Sequence, residues 1–183
     1  MIKKRMIYLA LVTMGMLGIA FAQKEAYAIL AGVQQLLFRV PALLCFMWLL
    51  YAICKGNDIK KPEELHGVRN SMPYIYAIMV MLALFIIGVP GTGSFTGILY
   101  AQMGSMYAQT GVISYVGLLG NMAGMLATAI LIFPILKEAF MEEKKAFVKP
   151  RNITVLCTGL IAVLMLVLSV CHNLVTEVLS KII

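Results

Sequence analysis

The chain has 183 residues, of which 62% are hydrophobic and only 13% are charged. Because a soluble domain carries about twice that share of charged residues, the composition excludes a soluble globular protein. The net charge of +7 does not indicate nucleic-acid binding, since the basic residues cluster at the ends of apolar runs, where they set topology or meet anionic lipid. The sequence predicts an all-α, polytopic integral membrane protein that contacts lipid and no nucleic acid.

The residue patterns that carry enzyme chemistry do not occur in the sequence. The four cysteines contain no CxxC pair, which argues against a zinc or iron–sulfur site. There is no phosphate-binding loop and no Ser/His/Asp constellation. We therefore predict no catalytic residue, no metal site and no cofactor, and we expect the cysteines to be buried thiols.

The first apolar run covers residues 5–22 and follows a basic start at Lys3, Lys4 and Arg5. This pattern fits a retained first membrane helix, and it also fits a secretory signal peptide that ends at small residues. The retained helix is favoured, because everything downstream is membrane-embedded.

The second apolar run, residues 27–54, is long enough to cross a membrane, since about 20 residues suffice. Its first half contains Gln34, Gln35 and Arg39, and Pro41 follows. Residues 35 and 39 lie four apart and so share one helix face. An arginine at this depth normally faces a bundle interior or a hydrated cavity. The alternative is that Arg39 snorkels to the interface. Gln34, Gln35 and Arg39 are candidate ion-path residues.

Two charged loops separate the later apolar runs. Residues 55–71 form the first, in which we expect Pro62 to start a short surface helix and His66 to be solvated. Residues 137–151 form the second.

Two further apolar runs follow in the second half of the chain. Residues 111–139 predict a span in which Gly120 and Gly124 form a small-xxx-small pattern that permits close helix contact. Residues 153–180 predict the last span, with His172 as an interfacial side chain near its end.

The sequence Gly-Val-Pro-Gly-Thr-Gly-Ser-Phe at residues 88–95 separates the apolar runs 72–87 and 96–107. Pro90 lacks an amide hydrogen, so no α-helix passes straight through it, and the glycines free the backbone further. Either a tight loop joins two separate spans here, or one span is interrupted at membrane depth. An interruption is a functional feature, because freed peptide groups and half-helix ends are how transporters hold ions. Its central residues are Pro90, Gly91, Thr92 and Gly93.

The distribution of basic residues distinguishes these alternatives, because segments rich in Lys and Arg stay on the cytoplasmic side. The N-terminus and both charged loops fall on one side only if residues 72–107 form one interrupted span. The sequence therefore predicts five spans, with the N-terminus and the basic loops in the cytoplasm of a bacterium or archaeon, or in the organellar equivalent. The spans are residues 5–22, 27–54, 72–107, 111–139 and 153–180.

The residues around the break resemble the C-terminal part of the antiporter-like membrane subunits of respiratory complex I, Mrp-type cation/proton antiporters and membrane-bound hydrogenases. The family motif G-x-P-G-T-G-x-F reads through residues 88–95, after Met72 and Pro73. The family's basic first helix, with its Met-Gly pair, is similar to residues 4–15. The resemblance covers about residues 3–141, and the last span by position only.

The resemblance implies a fold of two inverted five-helix repeats, each with a broken helix and a buried charge at mid-membrane. Residues 1–183 would then be a single membrane domain that corresponds to most of the second repeat. Without the first repeat, with its buried glutamate and lysine, such a domain forms no complete proton channel alone. The implied partners are the other membrane subunits of a multi-subunit complex.

Three positions depart from the family pattern. The titratable histidine before Met-Gly is Thr13 here, the next helix's histidine or lysine is Arg39, and the glutamate or lysine past the break is Ile98. A proton relay needs groups that load and release protons near working pH, which arginine does not do. Ile98 is therefore a lost titratable position, whereas Thr13 and Gln35 can still hold water in a polar track.

Three functions remain open from the sequence. The first is a degenerate, non-catalytic subunit of a complex I-like or energy-converting hydrogenase complex, kept for architecture. Arg39 would then pair with a carboxylate, expected on a partner chain because the acidic residues here lie near span ends. The second is the active half of a split H⁺ or Na⁺/H⁺ translocating subunit, with partner groups close to Ile98 and Arg39. The third is an unrelated small transporter or assembly factor.

Overall fold

The computed structural model of the protein describes residues 1–23, 25–107, 111–142, 147–171 and 177. These residues form helices joined by turns. The elements are α1 (Ile2–Ala22), α2 (Ala26–Gln34), a π-helical segment (Gln35–Arg39), α3 (Val40–Gly56), a 3-10 turn (Pro62–Leu65), α4 (Val68–Ser71), α5 (Pro73–Ile87), α6 (Gly93–Tyr107), α7 (Gly111–Phe140) and α8 (Asn152–Val170).

Four helical segments in the described residues are long and apolar enough to cross a membrane: α1, the continuous stretch Ala26–Gly56, most of α7, and α8. The short helices in Pro62–Ser71 meet α5 at an angle of 120°, so they lie across the end of the bundle. Helices α5 and α6 have 15 residues each. Each is therefore about 22 Å long, too short to cross the roughly 30 Å apolar core alone.

Helices α5 and α6 follow one another along the stretch Ala26–Gly56, which runs in the opposite direction. Helix α5 packs against α3, α6 packs against α2, and the π-helical segment contacts both. Far from the break, a Cβ atom on Gly104 would lie 2.7 Å from the Ala28 amide nitrogen, so α6 and α2 touch backbone to backbone. Residues 73–107 thus form one interrupted span.

The predicted all-α membrane bundle of about five spans is confirmed: four helical segments are long enough to span, and α5 and α6, packed along one neighbouring stretch, form the broken span at residues 88–95. The interruption itself is shorter than that motif. It covers residues 88–92, because α6 already begins at Gly93.

The N-terminus and both charged loops meet at one end of the bundle, which we call the basic end. Hydrogen bonds join the Ile2 amide to the Lys60 carbonyl at 3.1 Å, the Gly67 amide to the Met141 carbonyl at 2.9 Å, and the Asn57 side chain to the Val148 backbone. Apart from Arg39, the lysines and arginines of the described residues all lie at this end. The predicted gathering of the basic segments on one side is therefore present in the fold.

Aromatic rings mark the opposite end of the bundle. The Tyr27 ring stacks on those of Tyr100 and Tyr107, with centroid distances of 6.2 and 5.5 Å. Tyrosines concentrate at membrane–water interfaces, where the ring is in the apolar layer and the hydroxyl is hydrated. The two ends of the bundle therefore both carry interfacial residues.

Helix α7 packs closely on α1 through the predicted small residues. A Cβ atom on Gly120 would lie 2.6 Å from the Ile19 side chain, and Gly124 lies against Met16. The small-xxx-small pattern is therefore a real close contact. Helix α1 supplies buried side chains such as Leu9, Met16 and Ala20 to the bundle.

The expectation that His66 is solvated was wrong. Its imidazole pairs with the Glu138 carboxylate of α7, and both side chains are largely covered. The cause is the 120° bend before α5, which folds the polar loop back over the end of α7. The expected short helix at Pro62 is confirmed as a 3-10 turn.

The cysteine expectation was correct in part. Cys45 is buried, Cys54 and Cys157 are half-buried, and Cys171 is exposed. His172 and most of the predicted span beyond Val170 lie outside the described residues.

The fold predicts which residues face the same side of the membrane. In a chain with its native cysteines replaced by alanine, we expect Lys61→Cys and Lys149→Cys to react with an impermeant maleimide from one side. Val112→Cys, at the opposite end, should react only from the other side. Labelling of intact and permeabilised vesicles measures this. Opposite labelling of the two lysine positions would mean that residues 73–107 cross the membrane twice.

Candidate functional site

Arg39 lies near the middle of the longest continuous helical stretch. Ala26 and Gly56 are about 20 and 25 Å away along the helix at 1.5 Å per residue. The side chain is 0% exposed. The snorkelling alternative is therefore wrong, because the guanidinium lies at mid-depth and inside the bundle.

The π-helical segment explains how this stretch continues past Pro41. The Val40 amide donates to the Gln35 carbonyl five residues earlier, which widens the turn by one residue. Pro41 has no amide hydrogen and crowds the preceding turn of a regular helix, so a widened turn here avoids breaking the helix. The widened turn also buries Gln35, Phe38 and Arg39 together.

The polar contact of the Arg39 guanidinium is with Thr128 on α7. Nη2 donates to the threonine hydroxyl oxygen at 3.2 Å. Nε and Nη1 have no hydrogen-bond partner among the described residues. The ion pairs found in that part of the chain, Asp58–Lys60 and His66–Glu138, do not involve Arg39.

The expectation that a partner's carboxylate pairs with Arg39 does not agree with this geometry. The guanidinium is fully enclosed by the side chains of this chain alone. A partner residue would have to displace part of that wall to reach it. An arginine at the centre of a membrane helix costs about 3 kcal/mol on insertion scales. The polar contact that offsets part of this cost comes from within the chain, at Thr128.

Other fully buried side chains near this depth also lack partners. The amide group of Gln35 and the hydroxyl of Ser94 form no hydrogen bond within the described residues. Gly97, one turn along α6 from Ser94, packs on the Gln35 side chain, where its Cβ would lie 3.4 Å from Cγ. The Asn121 amide on α7 is likewise buried and unpaired among the described residues.

The interior of the bundle differs between its two halves. Toward the basic end it is mainly an apolar cluster, built on residues such as Leu49, Met79 and Ile132, with the buried hydroxyls of Thr154 and Thr158 on α8. Toward the opposite end it contains Gln34, Gln35, Ser94 and Asn121, and a buried pair in which the Gln23 amide donates to the Ser105 hydroxyl at 2.7 Å. The polar half ends at Arg39 and Thr128, where the apolar half begins.

The break in the span is held by short hydrogen bonds at its ends. Gly88 has a φ of 78°, a left-handed conformation that ends α5, and its amide donates to the Leu84 carbonyl at 3.0 Å. The Gly93 amide at the start of α6 donates to the Ser169 hydroxyl of α8 at 2.8 Å. Between them, Pro90 has no amide hydrogen, and the Gly91 amide has no partner among the described residues.

The predicted break residues differ in exposure. Pro90 and Gly91 are exposed, Thr92 is half-buried and donates its hydroxyl to the Val89 carbonyl at 2.8 Å, and Gly93 is buried. Gly93 lies directly on the Phe38 ring, which itself stacks on Phe85 at 6.4 Å. The break therefore sits beside the turn that carries Arg39.

The remaining predicted positions have clear places in this arrangement. Thr13 is fully buried at the depth of Thr128, and its hydroxyl donates to the Leu9 carbonyl of its own helix at 2.9 Å. Gln34 is also buried. Ile98 is buried and its side chain fills the space against Gly88, so the lost titratable position now packs the break.

Sequence reasoning missed Thr128, Ser94 and Asn121. Asn121 and Thr128 are seven residues apart on α7, two turns along one face, with Gly124 between them. That spacing was a usable signal for a polar face on α7. Ser94 lies within the break motif, but nothing in the motif shows that its hydroxyl points inward.

Comparisons with protein-family models and with curated proteins gave no match to this sequence. The resemblance to antiporter-like subunits therefore stays a prediction, based on the motif at residues 88–95 and the residues around it.

Replacing the hydroxyl that contacts Arg39 tests the energetics of the site. Thr128→Val removes the acceptor from a charged donor, so we expect the free energy of unfolding to fall by about 2 kcal/mol. Thr13→Val is the matched control, because that hydroxyl bonds only within its own helix and its loss should cost little. Thermal unfolding of both variants in detergent measures the difference. Equal midpoints for the two variants would show that Arg39 does not depend on Thr128.

Proposed function

We propose that this chain is a membrane subunit of a larger antiporter-like complex, of the complex I or energy-converting hydrogenase type. In that complex it has an architectural role and does not translocate protons alone. The observation that carries the proposal is the exposed break at mid-membrane. The resemblance of residues 88–95 to the family motif is the second support.

The break exposes backbone on the outer surface of the bundle, which would face lipid if no other protein covered it. Pro90 and Gly91 are exposed, and they follow directly after α5, which is about 22 Å long and so ends within the depth of the apolar core. Lipid tails cannot hydrogen-bond an open backbone, so irregular segments at this depth are tolerated only where protein or water covers them. Another protein chain packed on this face supplies that cover, which supports a subunit role.

The chemistry of the interior supports architecture over proton transfer. At the three positions where the resemblance places titratable groups, this chain has Thr13, Arg39 and Ile98. A threonine and an isoleucine do not titrate, and arginine keeps its proton at accessible pH. A track that hydrates but does not titrate cannot couple proton movement to a redox reaction.

The alternative, an active half of a split H⁺ or Na⁺/H⁺ translocating subunit, is favoured by the polar half of the interior. It requires a partner's carboxylate and lysine next to Ile98 and Arg39. Both side chains are enclosed by this chain, with 2% and 0% exposure. The geometry therefore gives this alternative less support than the architectural role.

The orientation follows from the charge at the basic end. We place that end in the cytoplasm, because segments rich in Lys and Arg are retained there. Maleimide labelling of Lys61→Cys and Val112→Cys in vesicles of known sidedness measures which end of the bundle faces the cytoplasm.

A photo-crosslinker at the break tests whether another chain covers it. With a photoreactive amino acid at Gly91 in the native membrane, we expect crosslinks to a second membrane protein. The same group at Leu126, an exposed side chain on α7, is the matched control and reports background contacts. Mass spectrometry identifies the products. If the group at Gly91 crosslinked to lipid and to no protein, the result would contradict the subunit role.

A second experiment tests the absence of independent proton transfer. The purified chain in liposomes should show no pH-gradient-driven proton flux above that of empty liposomes. Ile98→Glu should not create flux, because two further titratable steps are also absent. A fluorescent pH indicator inside the liposomes measures this. Proton flux in the wild type, or from that single change, would favour the split-transporter alternative.

A further inference from the structure

A cavity of about 350 Å³ opens at the basic end of the bundle, between the start of α1, the end of α3 and the loop that follows α3. Its volume lies in the range of small-molecule binding sites, which is about 300 to 1,000 Å³. The residues that line it belong neither to the polar half of the interior nor to the break. The cavity is therefore a separate candidate for binding.

Three lysines from three different elements line this cavity. Lys3 is in the first turn of α1, Lys55 is in the last turn of α3, and Lys60 is in the loop. The Ile2 amide donates to the Lys60 carbonyl at 3.1 Å, so a backbone hydrogen bond holds the loop beside the start of α1. The fold thus brings together ammonium groups that are far apart in the sequence.

The lining of the cavity has three ammonium groups and one carboxylate. The carboxylate is that of Asp58, which lies 3.7 Å from the Lys60 ammonium, and both side chains are exposed. Lys3 and Lys55 form no ion pair within the residues that the structure describes. The Lys55 ammonium lies 5.9 Å from the centre of the Tyr51 ring. The cavity therefore carries a net positive charge, which favours an anionic ligand.

The depth of the cavity indicates where its anion comes from. Helix α1 has 21 residues and is about 31 Å long, close to the roughly 30 Å of the apolar core, so its first turn lies at the level of the lipid headgroups. Tyr51 lines the same cavity, and tyrosine rings concentrate at this interface. The half-buried side chain of Met6, one turn further along α1, extends the lining toward the apolar core. The cavity thus borders both headgroups and acyl chains.

We propose that this cavity binds the phosphate group of an anionic phospholipid. The phosphate oxygens accept hydrogen bonds from the ammonium groups of Lys3 and Lys55, and an acyl chain lies along Met6. Basic pockets between membrane helices are typical sites for such headgroups. Free phosphate offers the same charge but makes no use of the apolar lining. The proposal does not depend on the proposed function, because it requires only that the basic end lies at a membrane surface.

Native mass spectrometry of the purified full chain in detergent tests the ligand. The chain is titrated separately with phosphatidylglycerol, with zwitterionic phosphatidylcholine and with inorganic phosphate. We expect a one-to-one adduct with phosphatidylglycerol at concentrations where the other two bind weakly or not at all. Equal binding of phosphatidylcholine, or no adduct with phosphatidylglycerol, would overturn the proposal. Equal binding of inorganic phosphate would overturn the assignment to a lipid.

Two double variants with the same change in charge locate the site. Lys3→Gln combined with Lys55→Gln removes two charges that line the cavity. Lys4→Gln combined with Lys61→Gln removes two exposed charges beside it. One lysine at an anionic headgroup contributes about a fivefold change in affinity, so the first variant should bind phosphatidylglycerol roughly 25-fold more weakly. The second variant should bind as the wild type does, and equal affinities of the two variants would contradict the site.

Amine modification of the wild type provides a measurement without substitutions. Phosphatidylglycerol added to phosphatidylcholine vesicles should slow the acetylation of Lys3 and Lys55 several-fold. The rates at Lys4 and Lys61 should change much less, because these side chains lie outside the cavity. Mass spectrometry of the digested chain measures each rate. The same slowing at all four lysines would indicate a general effect of the charged surface and would overturn the proposal.

Discussion

The burial of one permanent positive charge at the middle of the bundle is the constraint on which the rest of the structure depends. Arg39 cannot lose its proton and has no route to water along its own side chain. The helices around it are arranged so that Thr128 of α7 accepts a hydrogen bond from it, while Gln35 of its own turn is buried beside α6. A bundle with only apolar contacts at this depth could not contain it.

Two irregular segments meet at this charge and depend on each other. The π-helical turn of Gln35–Arg39 turns Phe38 toward the break, where its ring lies on Gly93 and stacks on Phe85. The break in turn allows α6 to approach α2 closely while α5 packs on α3. A regular helix at either place would remove this contact. Irregular backbone in membranes is stable only with such local support.

The division of the interior into an apolar and a polar half has a functional consequence. The interior toward the basic end is mostly apolar, and the buried hydroxyl that it contains at Thr158 is bonded within its own helix, to the Thr154 carbonyl. The polar half ends at a charge that does not titrate. Such an interior agrees with the proposed architectural role, because Arg39, the charged residue at its centre, does not titrate at accessible pH. The exposed break, by contrast, points outward at Pro90 and Gly91, where the proposed neighbouring subunit would pack.

The class of the fold was determined by composition, by the length of the apolar runs and by the clustering of basic residues. These features decide which segments can lie in lipid and which stay in water. They also determined the broken span at residues 88–95, since proline and glycine act locally on the backbone. The interior location of Arg39 and Gln35 followed from helix periodicity. Patterns in the local sequence could not predict which residues contact Arg39 and Gln35. Thr128, Ser94 and the His66–Glu138 pair depend on which helix faces meet, and residues far apart in sequence set that. The enclosure of Arg39 likewise depends on several helices at once, so only the tertiary structure decided that its side chain lies inside the bundle and contacts Thr128.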